Sequence, residues 1–116
     1  MKYALLIYTD EGDWEDASEE ERRAAYQRYT DYGKWLADQG WIRGGDQLAS
    51  SASATCVRVE GGRTSTTDGP FAESKEQLGG FYLIETANLD QAIEAASRLP
   101  AAGRGTIEVR PIVESG

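Results

Sequence analysis

Histidine is absent from the chain, and with it the side chain whose ordinary pKa lies nearest neutrality and the commonest zinc ligand. Any catalysis then falls to carboxylates, tyrosines, lysines or backbone groups. Cysteine is almost absent: a single Cys56 excludes an intrachain disulfide and a cysteine-cluster metal site, and suits a reducing compartment. It lies in the β-like run Ala54-Thr55-Cys56-Val57-Arg58-Val59, where a small strand residue is expected rather than a reactive thiol. No apolar run approaches the roughly 18 residues that a membrane span requires. The first eight residues, Met1 to Tyr8, are followed at once by acidic ones, without the apolar stretch and small-residue cleavage site of a signal peptide, and are expected to form a strand. Basic runs are missing too: 12 Lys and Arg face 20 Asp and Glu, a net charge of -8, which disfavours a phosphate backbone as partner. The expectation is a cytoplasmic protein with no nucleic-acid or membrane partner and no metal or cofactor.

What is present fits one ordinary core. A chain of 116 residues has the common size of a single domain, taken here as residues 1–116. Tyr3, Leu5 and Ile7 alternate with Ala4, Leu6 and Tyr8, so this strand is apolar on both faces and belongs in the middle of a sheet. An acidic loop, Asp10 to Asp16, leads to Ser18-Glu19-Glu20-Glu21, the spacing of a capping box. The stripe Ala25, Tyr29, Tyr32 and Leu36 and the stop at Gly40 predict a helix over 19–39.

Strands are expected over 41–48, interrupted by Gly44-Gly45, and over 54–60. Gly61-Gly62 supplies a tight hairpin into a short strand over 63–67. A strand over 80–86, apolar on both faces, is expected beside the first. Asn88 caps a second helix with the stripe Leu89, Ala92, Ile93, Ala96 and Leu99, closed by Pro100. A last strand over 106–112 alternates Ile107 and Val109 with Glu108 and Arg110. The order β-α-β-β-(β)-β-α-β is an α+β, ferredoxin-like plan with an added hairpin strand, both helices covering one face of an antiparallel sheet. The apolar residues on the other face predict a covering surface, most simply in a homodimer.

The run Thr67-Asp68-Gly69-Pro70-Phe71-Ala72-Glu73-Ser74-Lys75-Glu76-Gln77-Leu78-Gly79-Gly80-Phe81-Tyr82-Leu83 resembles the signature of the Asp-Gly-Pro-Phe branch of the YCII-related family. The first strand and Gly105 to Ile112 are similar to that branch's terminal strands. The resemblance implies a dimeric α/β barrel with a cleft near the motif, in a family whose function is largely unassigned. Better-understood relatives in the wider family act on small ring compounds with a His-Asp pair; here the corresponding helix carries Tyr26, Gln27 and Tyr29. The resemblance also implies a possible sigma-factor link, since members of this branch are often encoded beside extracytoplasmic-function sigma factors.

Asp68 is the candidate catalytic residue. Before Gly69-Pro70 it is placed to bond its own downstream amides and fix a turn, Gly69 being pushed toward an extended conformation, or to aim its carboxylate into the cleft beside the apolar wall of Phe71. Phe71, Glu73, Lys75, Arg43 and Tyr82 are candidate ligand contacts, the last four each with a plainer reading as a solvated turn, a surface ion pair or packing. Asp46, after Gly44-Gly45, is a further cleft candidate. Gly79-Gly80 is read as a bulge rather than a phosphate cradle, because strand and not helix follows. Three functions remain open on the residues alone: a small-molecule binder or enzyme working without a metal near Asp68, a non-catalytic regulatory or stress-associated partner, and a bare structural dimer.

Overall fold

The computed structural model describes residues 1–114. β1 (Lys2–Thr9) is followed by a short helix α1 (Glu11–Glu15), the long helix α2 (Glu19–Gln39) and β2 (Ile42–Gln47). A 3-10 turn at Ser51–Ser53 leads into β3 (Thr55–Glu60) and β4 (Arg63–Asp68). Then come β5 (Gln77–Glu85), α3 (Leu89–Ser97), a second 3-10 turn at Pro100–Gly103 and β6 (Thr106–Pro111). The four-stranded sheet has the order β2-β5-β1-β6, every pair antiparallel, and β3-β4 form a separate two-stranded sheet. This is the ferredoxin-like α+β arrangement, with the hairpin inserted between β2 and β5.

Both central strands have the apolar residues the plan requires. Tyr3, Leu5 and Ile7 lie opposite Ile84, Tyr82 and Gly80 of β5 and point to the helices, packing with Tyr32 and Leu36 of α2 and Ala92, Ala95 and Ala96 of α3. The alternation of a strand then sends Ala4, Leu6, Tyr8, Leu78, Phe81 and Leu83 to the other face, which no helix among the described residues covers. Tyr32 ties the two helices together, its hydroxyl donating to the Ala95 carbonyl at 2.6 Å in the buried core.

The capping box at Ser18 is complete, the Ser18 hydroxyl accepting from the Glu21 amide and the Glu21 carboxylate from the Ser18 amide, and Gly40 closes α2 at φ 75°. Three expectations need correction. The acidic loop contains α1, nucleated by the Asp10 carboxylate accepting from the Gly12 amide at 2.9 Å. In α3 the packed stripe is Ala92, Ala95, Ala96 and Leu99, whereas Leu89 and Ile93 are 48% and 49% exposed; the small alanines let this flank approach the sheet closely. β5 starts at Gln77 because a bulge opposite Ile7 and Tyr8 absorbs Gly79 and lets Leu78 and Gln77 rejoin the ladder.

Gly45 is required where β2 meets β5. Its φ is 147°, and a Cβ there would stand 2.5 Å from the Phe81 carbonyl oxygen. The β3-β4 hairpin turns at Gly61 and Gly62, φ 56° and 78°, the positive angles that a two-residue hairpin loop favours. Its two strands are exposed along almost their whole length, with Val57 and Val59 at 60% and 65%. The radius of gyration, 16.2 Å, accordingly exceeds the roughly 13 Å of a compact domain of this length.

Leu36 is fully buried, so Leu36→Ala is expected to lower stability by about 2–5 kcal/mol through lost burial and a residual cavity. Tyr32→Phe, which leaves the Ala95 carbonyl without its partner, is expected to cost about 1–3 kcal/mol. Urea unfolding followed by circular dichroism measures both.

Candidate functional site

A concavity lies on the helix side of the sheet, at the N-terminal end of α2. Ile7, Thr9, Gly80 and Tyr82 form its floor, Ala25 and Tyr29 of α2 its roof, and α1 one wall with Trp14. Its volume is about 730 Å3, within the range of small-molecule sites.

The α1 wall is held on two sides. Arg22 reaches back from α2, its guanidinium donating to the Trp14 carbonyl at 3.0 and 3.2 Å and to the Glu15 carbonyl at 3.1 Å. The same guanidinium stacks 5.4 Å from the Trp14 ring centre, and Trp14 meets Tyr26 edge to face at 5.3 Å. On the other side the Glu11 carboxylate accepts from the Ser51 amide at 2.9 Å and from the Ser51 hydroxyl. These bonds favour the ionised form and hold the Glu11 carboxyl below its ordinary value, the Ser51 hydroxyl contributing most.

The floor and roof are phenolic. Tyr82 meets Tyr32 edge to face at 5.3 Å, and burial raises the pKa of Tyr82, with nearby Tyr29 adding to it. Tyr29 is also raised by burial, against the opposing pull of Arg104 and then Arg28. At neutral pH both phenols are therefore protonated donors. Arg28 of α2 and Arg104, just after the second 3-10 turn, line the flank away from α1. The lining thus combines hydroxyl donors, aromatic surface and two guanidinium groups with the carboxylates of Asp10, Glu11, Asp13, Glu15, Glu21 and Asp46.

Tyr82 and Asp46 are among the cavity's lining residues, although the register of β2 with β5 pairs Asp46 with Phe81, on the opposite face. Glu73 and Lys75 line a smaller neighbouring concavity of about 370 Å3 with Pro70, Gln77 and, from the α1 side, Asp10 and Glu11. Arg43 sits at the β2 bulge, donating to the Gly40 and Ile42 carbonyls at 2.9 and 2.8 Å and pairing with Glu85 at 3.4 Å. Phe71 is 81% exposed, with the Arg58 guanidinium 5.8 Å from its ring centre. Asp68 ends β4 opposite Thr55 and is in the walls of neither concavity. The turn after it does not form as expected: Gly69 takes φ 97° rather than an extended angle. Its amide donates to the Ala54 carbonyl at 2.7 Å, so a backbone bond across the hairpin base, together with glycine's freedom at positive φ, holds the chain there.

Residues 1–115 match the sequence model of the YCII-related domain, nearly the whole chain. The chain belongs to the YCII-related family. An uncharacterised protein of Rhizobium meliloti (strain 1021) is 38% identical over 114 residues, covering 97% of this chain and 92% of that protein. In this YCII-related domain the cavity beneath α1 has no residue of the Asp68–Lys75 segment in its lining. Trp14, Arg28 and Arg104 were not singled out by sequence reasoning. The available signal was Trp14 itself, a large aromatic inside a run otherwise acidic and solvated.

Because the pKa of Glu11 is lowered on folding, its stabilising contribution is fully present above its ordinary value of 4.5 and is lost as pH falls through the folded value. Acidification below about pH 4.5 is expected to loosen α1 from Ser51 and change Trp14 fluorescence before global unfolding. Glu11→Gln should remove that early acid transition, and Trp14→Phe should remove its optical signal.

Proposed function

We propose that this YCII-related protein binds a small organic molecule in the cavity beneath α1, and does so as a homodimer. The observation that carries the binding reading is the cavity itself: an aromatic and phenolic chamber of about 730 Å3 whose α1 wall is fastened by specific bonds to α2 and to Ser51. A wall fastened at both sides keeps the concavity preformed, which lowers the ordering cost of binding. With histidine absent, hydroxyl and guanidinium groups are the donors available to bind or polarise the ligand, and any proton removal falls to the carboxylates of the lining.

Ala24 is exposed and lines the cavity, so Ala24→Trp places bulk in the mouth without overfilling the core. In a thermal-shift series of small aromatic compounds, ligands that stabilise the wild type are expected to lose their effect on this variant. Equal shifts in both proteins would count against the cavity as the binding site.

The dimer rests on the open sheet face. Ala4, Leu6, Tyr8, Phe81 and Leu83 are each half-buried in the single chain, and the strand register sets Leu6 against Phe81 and Ala4 against Leu83. They form a contiguous apolar strip at the sheet centre, of the kind that a second copy covers. Sedimentation equilibrium at micromolar concentration is expected to give twice the chain mass, and Leu6→Glu to give monomers with unchanged helix content.

A further inference from the structure

We infer that the cavity selects organic carboxylates, with Arg28 and Arg104 receiving the carboxylate and the phenolic floor receiving the apolar body; this rests on the binding reading above. At 100° per residue, α2 carries Glu21, Ala24 and Arg28 on one flank and Arg22 and Tyr26 on the other. Arg104 adjoins the first flank, fixed by its own amide donating to the Ala101 carbonyl at 3.1 Å and the next amide, of Gly105, donating to the same oxygen at 2.9 Å. Among the described residues neither Arg28 nor Arg104 has a carboxylate within ion-pairing distance. Arg22 is occupied by the Trp14 and Glu15 carbonyls, and Arg43 by Glu85 and two carbonyls. Two guanidinium groups that form no ion pair among the described residues thus share the cavity lining with the apolar and phenolic surface of Ile7, Tyr29 and Tyr82.

Carboxylates also line this space, and their placement decides the polarity. The Asp10 carboxylate caps α1, Glu11 is bound to Ser51, and Glu21 accepts from the Ser18 amide at 3.2 Å, its Ser18 bonds outweighing the weaker pull of the Arg104 charge beyond ion-pairing distance. Asp13 and Glu15 are exposed on α1, across the cavity from Arg28, and the strand register directs Asp46 to the other face of the sheet. Arg104 and, less strongly, Arg28 lie near enough to the Tyr29 phenol to oppose the rise that burial imposes on it. A planar guanidinium fork matches a carboxylate bidentately, and the Tyr29 hydroxyl, protonated at neutral pH, donates to the same acceptor.

The test uses three probes of one shape, 2-naphthoate, 2-naphthylmethanol and 2-naphthylmethylamine, titrated into the full-length protein by isothermal calorimetry. Naphthoate is expected to bind at least about tenfold more tightly than the alcohol. Arg28→Gln and Arg104→Gln should each reduce naphthoate affinity several-fold while leaving the alcohol unchanged, and the double variant should abolish the preference. Both arginines are exposed, so the variants are expected to fold, which circular dichroism checks; the wild-type ranking tests the inference without them. Alcohol binding as tight as naphthoate, or amine binding tighter, overturns the carboxylate inference and leaves the cavity as a ligand site. A protein that binds none of the three overturns both.

Discussion

Everything else in this molecule depends on the pairing of β1 with β5. Both strands are apolar on both faces and lie at the sheet centre, with Tyr3, Leu5 and Ile7 set against Ile84, Tyr82 and Gly80. One face of that pair is the floor of the helical core, where Leu5 and Leu36 are fully excluded from water. The same face, followed toward the C-terminal end of β1, becomes the floor of the cavity through Ile7, Thr9 and Tyr82. Core and cavity are thus one surface: α3 and the C-terminal half of α2 fill it in one region, and the space beneath the start of α2 leaves it open in the other. The opposite face carries the apolar strip of Ala4, Leu6, Phe81 and Leu83. A register slip of one residue would exchange the two faces and lose core, cavity and strip together.

The cavity stays open because α1 is held away from the sheet. Arg22 and Tyr26 anchor it to α2 through Trp14, and Glu11 anchors it to the 3-10 turn after β2. Glycine accounts for the other boundary. β5 bulges at Gly79, Gly45 approaches the Phe81 carbonyl closely, and the Leu48 amide donates to the Gly79 carbonyl at 2.9 Å. The glycine pairs that resemble phosphate-binding signals serve strand geometry instead.

Much of the architecture was legible before any coordinates. Two-faced apolar strands, a capping box at Ser18, an Asn88 cap and a Gly61-Gly62 turn each have a local physical cause, and each formed where its residues predict. The α1 helix escaped notice because five residues give too short a pattern for periodicity, and its acidic composition matched a solvated loop. The orientation of α3 escaped notice because Ile93 outweighs Ala95 on any hydrophobicity scale, whereas packing against the sheet selects the flank that approaches most closely.

The site divides in the same way. From residue types alone follow the exclusion of histidine chemistry and disulfides, the two-helix, central-sheet plan and a surface with net negative charge, because these depend on composition or on neighbours a few residues apart. Only the tertiary structure decided which residues share a cavity. Trp14, Arg28, Tyr82 and Arg104 are far apart along the chain, and no local pattern links them; they meet because β1 and β5 pair and α2 crosses above them. Asp68, conspicuous in the sequence, lies at the base of an exposed hairpin, since that hairpin forms its own two-stranded sheet and carries its residues away from the floor that the central strands provide.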